Sequence, residues 1–283
     1  MTVNRPALRY TVIECDFDLR NPWLHRYAVL LAVLVFLLLA AGAYLTSNIR
    51  PMPGPNPGPV VTAPGLQQIH LILAGLVGLL TLGLALWLRS LPGWIALATV
   101  IVESLLGSSL GNFGTILHAI LAPILFSSVV AAAVTTSESW SRPPVPVESL
   151  WPPLRTMAIL APILVVLQIS LGAGFRHNSM GVAWHILNAG VVLLLIMVLG
   201  VCLLRQYPDH PSLRPVAIAL LVITGVQVLL GFGVFLVILI VSENNQALIV
   251  SGMVHVLTGS LTLAASVVMA LELRRGEQSQ TGH

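Results

Sequence analysis

The sequence contains no lysine, and only 8% of its 283 residues are Asp, Glu, Lys or Arg. A water-facing domain carries about a quarter charged residues, so there is too little charge here to coat a soluble surface. Alternation of apolar and polar residues is also missing, which argues against a transmembrane β-barrel. Cysteine is scarce: Cys15 and Cys202 are the only two. Neither falls in a segment expected to face an oxidising compartment, so no disulfide is expected. The opening stretch MTVNRPALRYTVIECDFDLR has acidic residues, no early apolar core and no small-residue cleavage site, and so does not read as a signal peptide. P-loop, zinc-protease and nucleophile-elbow patterns are absent too. The net charge of +3 bears on topology rather than on nucleic-acid binding.

What is present is apolar sequence, 57% of the chain, much of it in runs long enough to cross a bilayer as helices, which takes about 20 residues each. The pattern predicts an all-α integral membrane protein with eight transmembrane helices. They run over residues 27–47, 66–88, 93–112, 115–136, 156–176, 181–204, 214–240 and 247–272, separated by segments rich in Gly, Pro, Asn and Ser. With the N-terminus inside, the inner segments hold every one of the arginines except Arg50 and Arg176. That bias predicts both termini on the cytosolic side of the cell's inner membrane. Trp23, Trp87, Trp94, Trp140 and Trp151 fall near the predicted inner ends, as interfacial anchors do.

The two halves resemble each other. Glu103-Ser-Leu-Leu-Gly107, Gln168-Ile-Ser-Leu-Gly172 and Gln227-Val-Leu-Leu-Gly231 are variants of one pattern. His70 with Arg89 matches His185 with Arg205, and His118 matches His255. The expected architecture is two pseudo-symmetric four-helix bundles related by an axis along the membrane normal, as in parallel repeats. The division reads as a cytosolic arm (1–26), a first bundle (27–136), a Pro-rich cytosolic linker (137–155), a second bundle (156–272) and a cytosolic tail (273–283). Residues 48–65, also Pro-rich, read either as a semi-rigid cover over the first site or as a plain connector.

His70, His118, His185 and His255 each lie near the outer end of an even-numbered span. Each has a small residue four positions later, Ala74, Ala122, Ala189 and Gly259, and so on its own helix face. A single histidine in a membrane helix can simply bond across to a neighbour. Four in repeat-related positions point to a site, because intramembrane ionisable groups are costly and mark function. Imidazole ligates zinc, copper and haem iron. A two-histidine site without a nearby thiolate or carboxylate is poor for zinc, whereas two axial imidazoles complete haem coordination. The residues therefore suggest one bis-histidine haem site per half, His70 with His118 and His185 with His255. Arg176 and Arg50 would meet haem propionates, and His177 is either a further propionate contact or merely interfacial. His25, His210 and His283 read as solvated. A transporter built from parallel repeats is a third possibility, but four histidines at one level describe a metal site better than a translocation path.

The chain resembles the haem A synthase family of cytochrome-oxidase assembly proteins. Gly172-Ala-Gly-Phe-Arg176-His177-Asn178 is similar to that family's Gly-Ala-x-x-Arg-His-Thr segment. The Leu106-Gly107 and Leu230-Gly231 turns, each followed by a histidine-bearing span, are similar too. The resemblance covers all eight spans. It implies haem b on His185 and His255, and haem O as substrate (haem A as product), or a second haem b, on His70 and His118. It also implies oxidation of a haem O methyl group to formyl, with electrons passing between the two irons. A haem O synthase, an electron donor or a respiratory complex are the implied partners besides the lipid bilayer. Two features depart from the family. Its Glu-x-x-His-Arg reads Gln67-Gln-Ile-His70-Leu71 here, replacing a carboxylate thought to assist the oxidation with an amide that cannot accept a proton. The pair of loop cysteines carried by many members is missing. The alternative reading is thus a two-haem electron-transfer subunit or assembly factor without oxygenase activity. Gln67 and Glu103 are the candidate catalytic residues; Glu103, expected near mid-membrane, reads either as a carboxyl bonded across helices or as a proton relay.

Overall fold

The structure, a computed structural model, describes residues 21–49, 64–106, 111–141, 152–240 and 246–281; for residues 49, 141 and 277–281 only the backbone is described. Among the described residues the only regular elements are helices: α1 (Pro22–Ile49), α2 (Pro64–Leu88), α3 (Leu91–Leu106), α4 (Gly111–Thr135), α5 (Glu138–Ser141), α6 (Leu154–Arg176), α7 (Val182–Gln206), α8 (Leu213–Ile240) and α9 (Gln246–Thr281). Seven of them are long and apolar enough to cross a membrane; α3 is apolar but spans 16 residues. At 1.5 Å per residue α3 reaches about 24 Å, short of the ~30 Å hydrocarbon core. The predicted third span ran to residue 112; its helix is described to Leu106, residues 107–110 lie outside the described segments, and Gly111 (φ 57°) already opens α4. That left-handed φ is one glycine adopts without steric cost.

The surface is apolar and the interior carries hydroxyls, the reverse of a water-soluble bundle. Ile72, Leu79, Leu194 and Leu229 are exposed, while Thr81, Ser127, Ser260 and Ser266 are buried. The buried hydroxyls donate to carbonyls one turn back on their own helices, Thr81 to Val77 and Ser127 to Pro123, for example. Such a molecule has lipid as its solvent, and this is a multi-pass membrane protein.

Among the described residues two large hydrophobic cores form, with one small cluster of Val234 and Leu248. Helices α1–α4 build the first core, joined by Ala264 of α9, and α6–α9 the second, with Ile124 of α4 packed against it. Within the first set, α1 packs on α2 and α4, and α3 on α2 and α4; in the second, α6 packs on α7 and α9, and α8 on α7 and α9. The buried positions repeat as well. Leu24, Ala28, Leu31 and Val35 on α1 have the same four-three-four spacing as Leu154, Ala158, Ala161 and Val165 on α6; Val77, Leu84 and Leu88 on α2 match Val192, Leu199 and Leu203 on α7. The seam between the sets is α4 against α9, flanked by α1 on α9 and α4 on α6. Small buried residues of α4 and α9, among them Ser127, Ala131, Ser260 and Ala264, allow close approach there.

Several contacts fix which ends meet. His25 Nδ1 lies 3.0 Å from the Ala133 carbonyl, joining the start of α1 to the end of α4. Tyr27 and Trp87 rings sit 6.0 Å apart, and Arg275 of α9 lies over Trp140 of α5. The start of α1 and the end of α9 thus share one end of the molecule. Two expectations are corrected here. His25 and His210 are structural rather than merely solvated: His210 Nδ1 accepts from the N–H groups of Ser212 and Leu213 at the start of α8, a cap for donors without intrahelical partners. The segment from 273, read as a tail, continues α9 through Thr281, since Arg, Glu and Gln are good helix formers. Within the expected linker, 138–141 form the short helix α5. Cys15, Arg50, Gly107, Trp151, His283 and most of the expected 48–65 cover lie outside the described residues.

Candidate functional site

All four intramembrane histidines gather at the end opposite the start of α1, and the structure brings them together as the expected pairs. The His70 and His118 ring centres are 6.4 Å apart with planes at 72°; those of His185 and His255 are 6.2 Å apart at 76°. Among the described residues no three or more His, Cys, Asp or Glu side chains gather as a metal cluster, so each half offers a pair alone. Two imidazoles on one metal have nitrogens about 2.0–2.1 Å from it. With each nitrogen on the order of 1 Å from its ring centre, the centres fall roughly 6.3 Å apart. Both pairs have that separation, and a centre with four equatorial nitrogens of its own needs only these two axial ligands.

The seating of each ring comes from the neighbouring helix. A Cβ on Gly42 of α1 would lie 2.9 Å from His70 Cε1. One on Gly172 of α6 would lie 2.8 Å from His185 Cε1, and one on Gly231 of α8 would lie 2.9 Å from His255 Cε1. Each imidazole therefore lies on a glycine of the helix before its own. The glycines also open backbone polar atoms, because a carbonyl four residues earlier on that helix points along the exposed groove. His185 Nδ1 lies 3.1 Å from the Gln168 carbonyl oxygen, four residues before Gly172. With its proton on Nδ1, the ring donates there and presents Nε2 as a lone pair.

Side chains at the same position back the rings. The Gln168 amide nitrogen lies 3.1 Å from His185 Nδ1 and donates to the His185 carbonyl at 3.0 Å, and Asn188 Nδ2 donates to Gln168 Oε1 at 2.8 Å. Gln227 Nε2 lies 3.4 Å from His255 Nε2, and the same nitrogen sits against Gly259. The small residue four positions after His255 therefore accommodates Gln227. In the first half, Glu103 pairs through its carboxylate with His118 Nδ1. This corrects the expected mid-membrane position of Glu103: its contact with His118 puts it at the level of the histidines, in the last described turn of α3. His70 has no such support. Leu38 stands four residues before Gly42, and His70 Nδ1 is buried without a hydrogen-bond partner among the described residues.

Arg176 and His177 close α6 at this same end. Arg176 Nη2 donates to Ser47 of α1 at 3.1 Å, and Asn112 Nδ2 of α4 donates to the His177 carbonyl at 3.0 Å and to Ser179 at 3.1 Å. His177 is buried at 6% exposure. The pair thus bridges the two halves, an arrangement no local pattern signals. Gln67, one turn before His70 on α2, is exposed. Sequence reasoning missed the supporting glycines Gly42, Gly172 and Gly231 and the buttress Asn188. The recurrence of Gln four residues before Gly172 and Gly231 was a signal for those two seats; Gly42, preceded by Leu38, and Asn188 carry none.

Neither the models of known protein families nor the curated proteins include a match to this chain.

Proposed function

We propose that this protein is a haem-binding membrane oxidoreductase of the haem A synthase type, which oxidises a haem O methyl group to formyl for cytochrome oxidase assembly. What supports the reading above all is the pair of matched histidine couples, their ring centres 6.4 and 6.2 Å apart at repeat-related positions. In this reading the chain forms eight spans, α3 among them, in two bundles related by a pseudo-two-fold axis. The arginine-rich end that holds the start of α1 faces the cytoplasm, in the cell's inner membrane.

His185 and His255 would hold haem b, and His70 and His118 the haem substrate, haem O. Haem, when bound, supplies the iron redox chemistry that side chains lack. The chain's own contribution is placement. Glycine seats lie against His70, His185 and His255, the Gln168 carbonyl accepts from His185 Nδ1–H, Asn188 steadies the Gln168 side chain, and apolar helix faces keep water away. Arg176 is a cation near the outer end of both bundles, suited to carboxylates such as propionates.

Expression with a haem O supply, followed by chromatography and mass analysis of extracted haems, tests the proposal. Haem A or its hydroxymethyl intermediate is the expected product. A pyridine haemochrome spectrum without haem in the purified protein would overturn haem binding altogether. Gln67, an amide where the family has a carboxylate, favours a second reading: a two-haem electron-transfer subunit or assembly factor. Bound haem b without conversion would select it.

A further inference from the structure

Glu103 is 7% exposed in an apolar chain, and the proposed chemistry does not use it. Its carboxylate lies against His118 Nδ1. At the equivalent positions of the other half the backing groups are neutral amides, Gln168 on His185 and Gln227 on His255. The rest of the first site is apolar, with Leu38 where α6 has Gln168 and Leu73 where α7 has Asn188. Three positions thus follow one sequence pattern, a polar side chain four residues before a glycine, and each reaches the next helix's imidazole, Glu103 at Nδ1, Gln168 beside both nitrogens and Gln227 at Nε2; only one carries charge.

The difference matters once Nε2 is a metal ligand. The ring proton then sits on Nδ1, and the group facing it decides how much electron density the ring gives the metal. A carboxylate accepting from Nδ1–H makes the imidazole a stronger donor and fixes its plane and tautomer. A buried anion next to the ligand also favours the more positive metal state. An amide does neither to the same extent.

We propose that Glu103 is a positioning residue that acts through His118, holding its ring with Nε2 toward the metal and making the His70–His118 site the lower-potential site of the two. The inference rests on the haem reading above. It makes the halves, alike in backbone, unlike in redox character.

The test is a potentiometric titration of the purified, haem-loaded protein followed by visible absorption, in the wild type and in Glu103→Gln and Gln168→Glu, the latter placing a carboxylate beside His185 Nδ1. His255→Ala, which leaves the first haem alone, assigns its potential. The wild type should titrate in two steps with the first haem the lower. Glu103→Gln should raise that step and narrow the separation without lowering the haem-to-protein ratio. Gln168→Glu should lower the other step. Two bound haems with an unchanged separation in Glu103→Gln would overturn the inference and leave the haem reading standing. A wild type without haem would overturn both. Should Glu103→Gln bind one haem only, Gln168→Glu decides: a second-half potential that does not fall sinks the proposal.

Discussion

The two halves share helix order, contact pattern and buried spacing, yet they surround their histidines differently. In the second, every support is a neutral amide: Gln168 steadied by Asn188 holds His185, and Gln227 lies against His255. In the first, His70 rests on Gly42 in apolar surroundings and His118 faces the carboxylate of Glu103. A duplicated backbone thus preserves where the rings sit, because glycine seats and helix packing fix that. The residues one turn away are free to change what the rings experience. The seam belongs to neither half, since Arg176 and His177 of α6 bond to α1 and α4.

The largest effect should come from deleting a ring. On the proposed haem reading, His70→Ala or His118→Ala should remove a haem from the first half, and His185→Ala or His255→Ala one from the second. Haem per chain, measured by pyridine haemochrome, would fall by about half each time, as expected when each bis-histidine site supplies both axial ligands. Loss of both haems from any single substitution would break the independence of the halves.

Filling a glycine seat should come next. Gly172→Val and Gly42→Val place atoms where the imidazoles lie, and overpacking of this kind costs about 1–3 kcal/mol. The second half should respond more strongly, because the carbonyl and the side-chain amide of Gln168 both contact the His185 ring whereas His70 Nδ1 has no hydrogen-bond partner among the described residues. Thermal unfolding in detergent with haem content as a second readout checks this; equal responses would erase the contrast.

A transplant sharpens it further. Leu38→Gln with Leu73→Asn should give His70 the support that His185 has, slowing transfer of the first haem to an apoprotein acceptor. Gln168→Leu should speed transfer of the second. Interhelical hydrogen bonds in membranes are worth about 0.6 kcal/mol on average, so rate changes of roughly threefold per bond are expected. Unaltered rates in both variants would show that the amides support nothing. Ser47→Ala, which removes one acceptor of Arg176, should have the smallest effect, also about 0.6 kcal/mol. It should lower the unfolding temperature slightly and leave haem content unchanged in both halves.

Much of this could be read in the chain. Apolar runs marked the long helices to within about five residues, save the end of α9, which runs on through Thr281, and the repeat paired His70 with His118 and His185 with His255. Glu103 was misplaced in depth because apolar sequence flanks it on both sides, so hydropathy did not mark its level against His118. The seats at Gly42, Gly172 and Gly231 were hidden for another reason: glycine is common in this chain, and its meaning depends on what the next helix brings opposite it. His210, a cap in the structure, looks in sequence like any polar residue in a turn.

By itself the sequence determined the solvent of this protein, its helical character and the duplication. Each follows from sums and spacings along one dimension, and burying backbone polar groups in lipid leaves a continuous apolar run little choice but helix. The tertiary structure decided which group stands behind each imidazole and that Arg176 reaches across the seam. Those facts depend on the rotation and depth of one helix relative to another, which packing sets and no single run encodes.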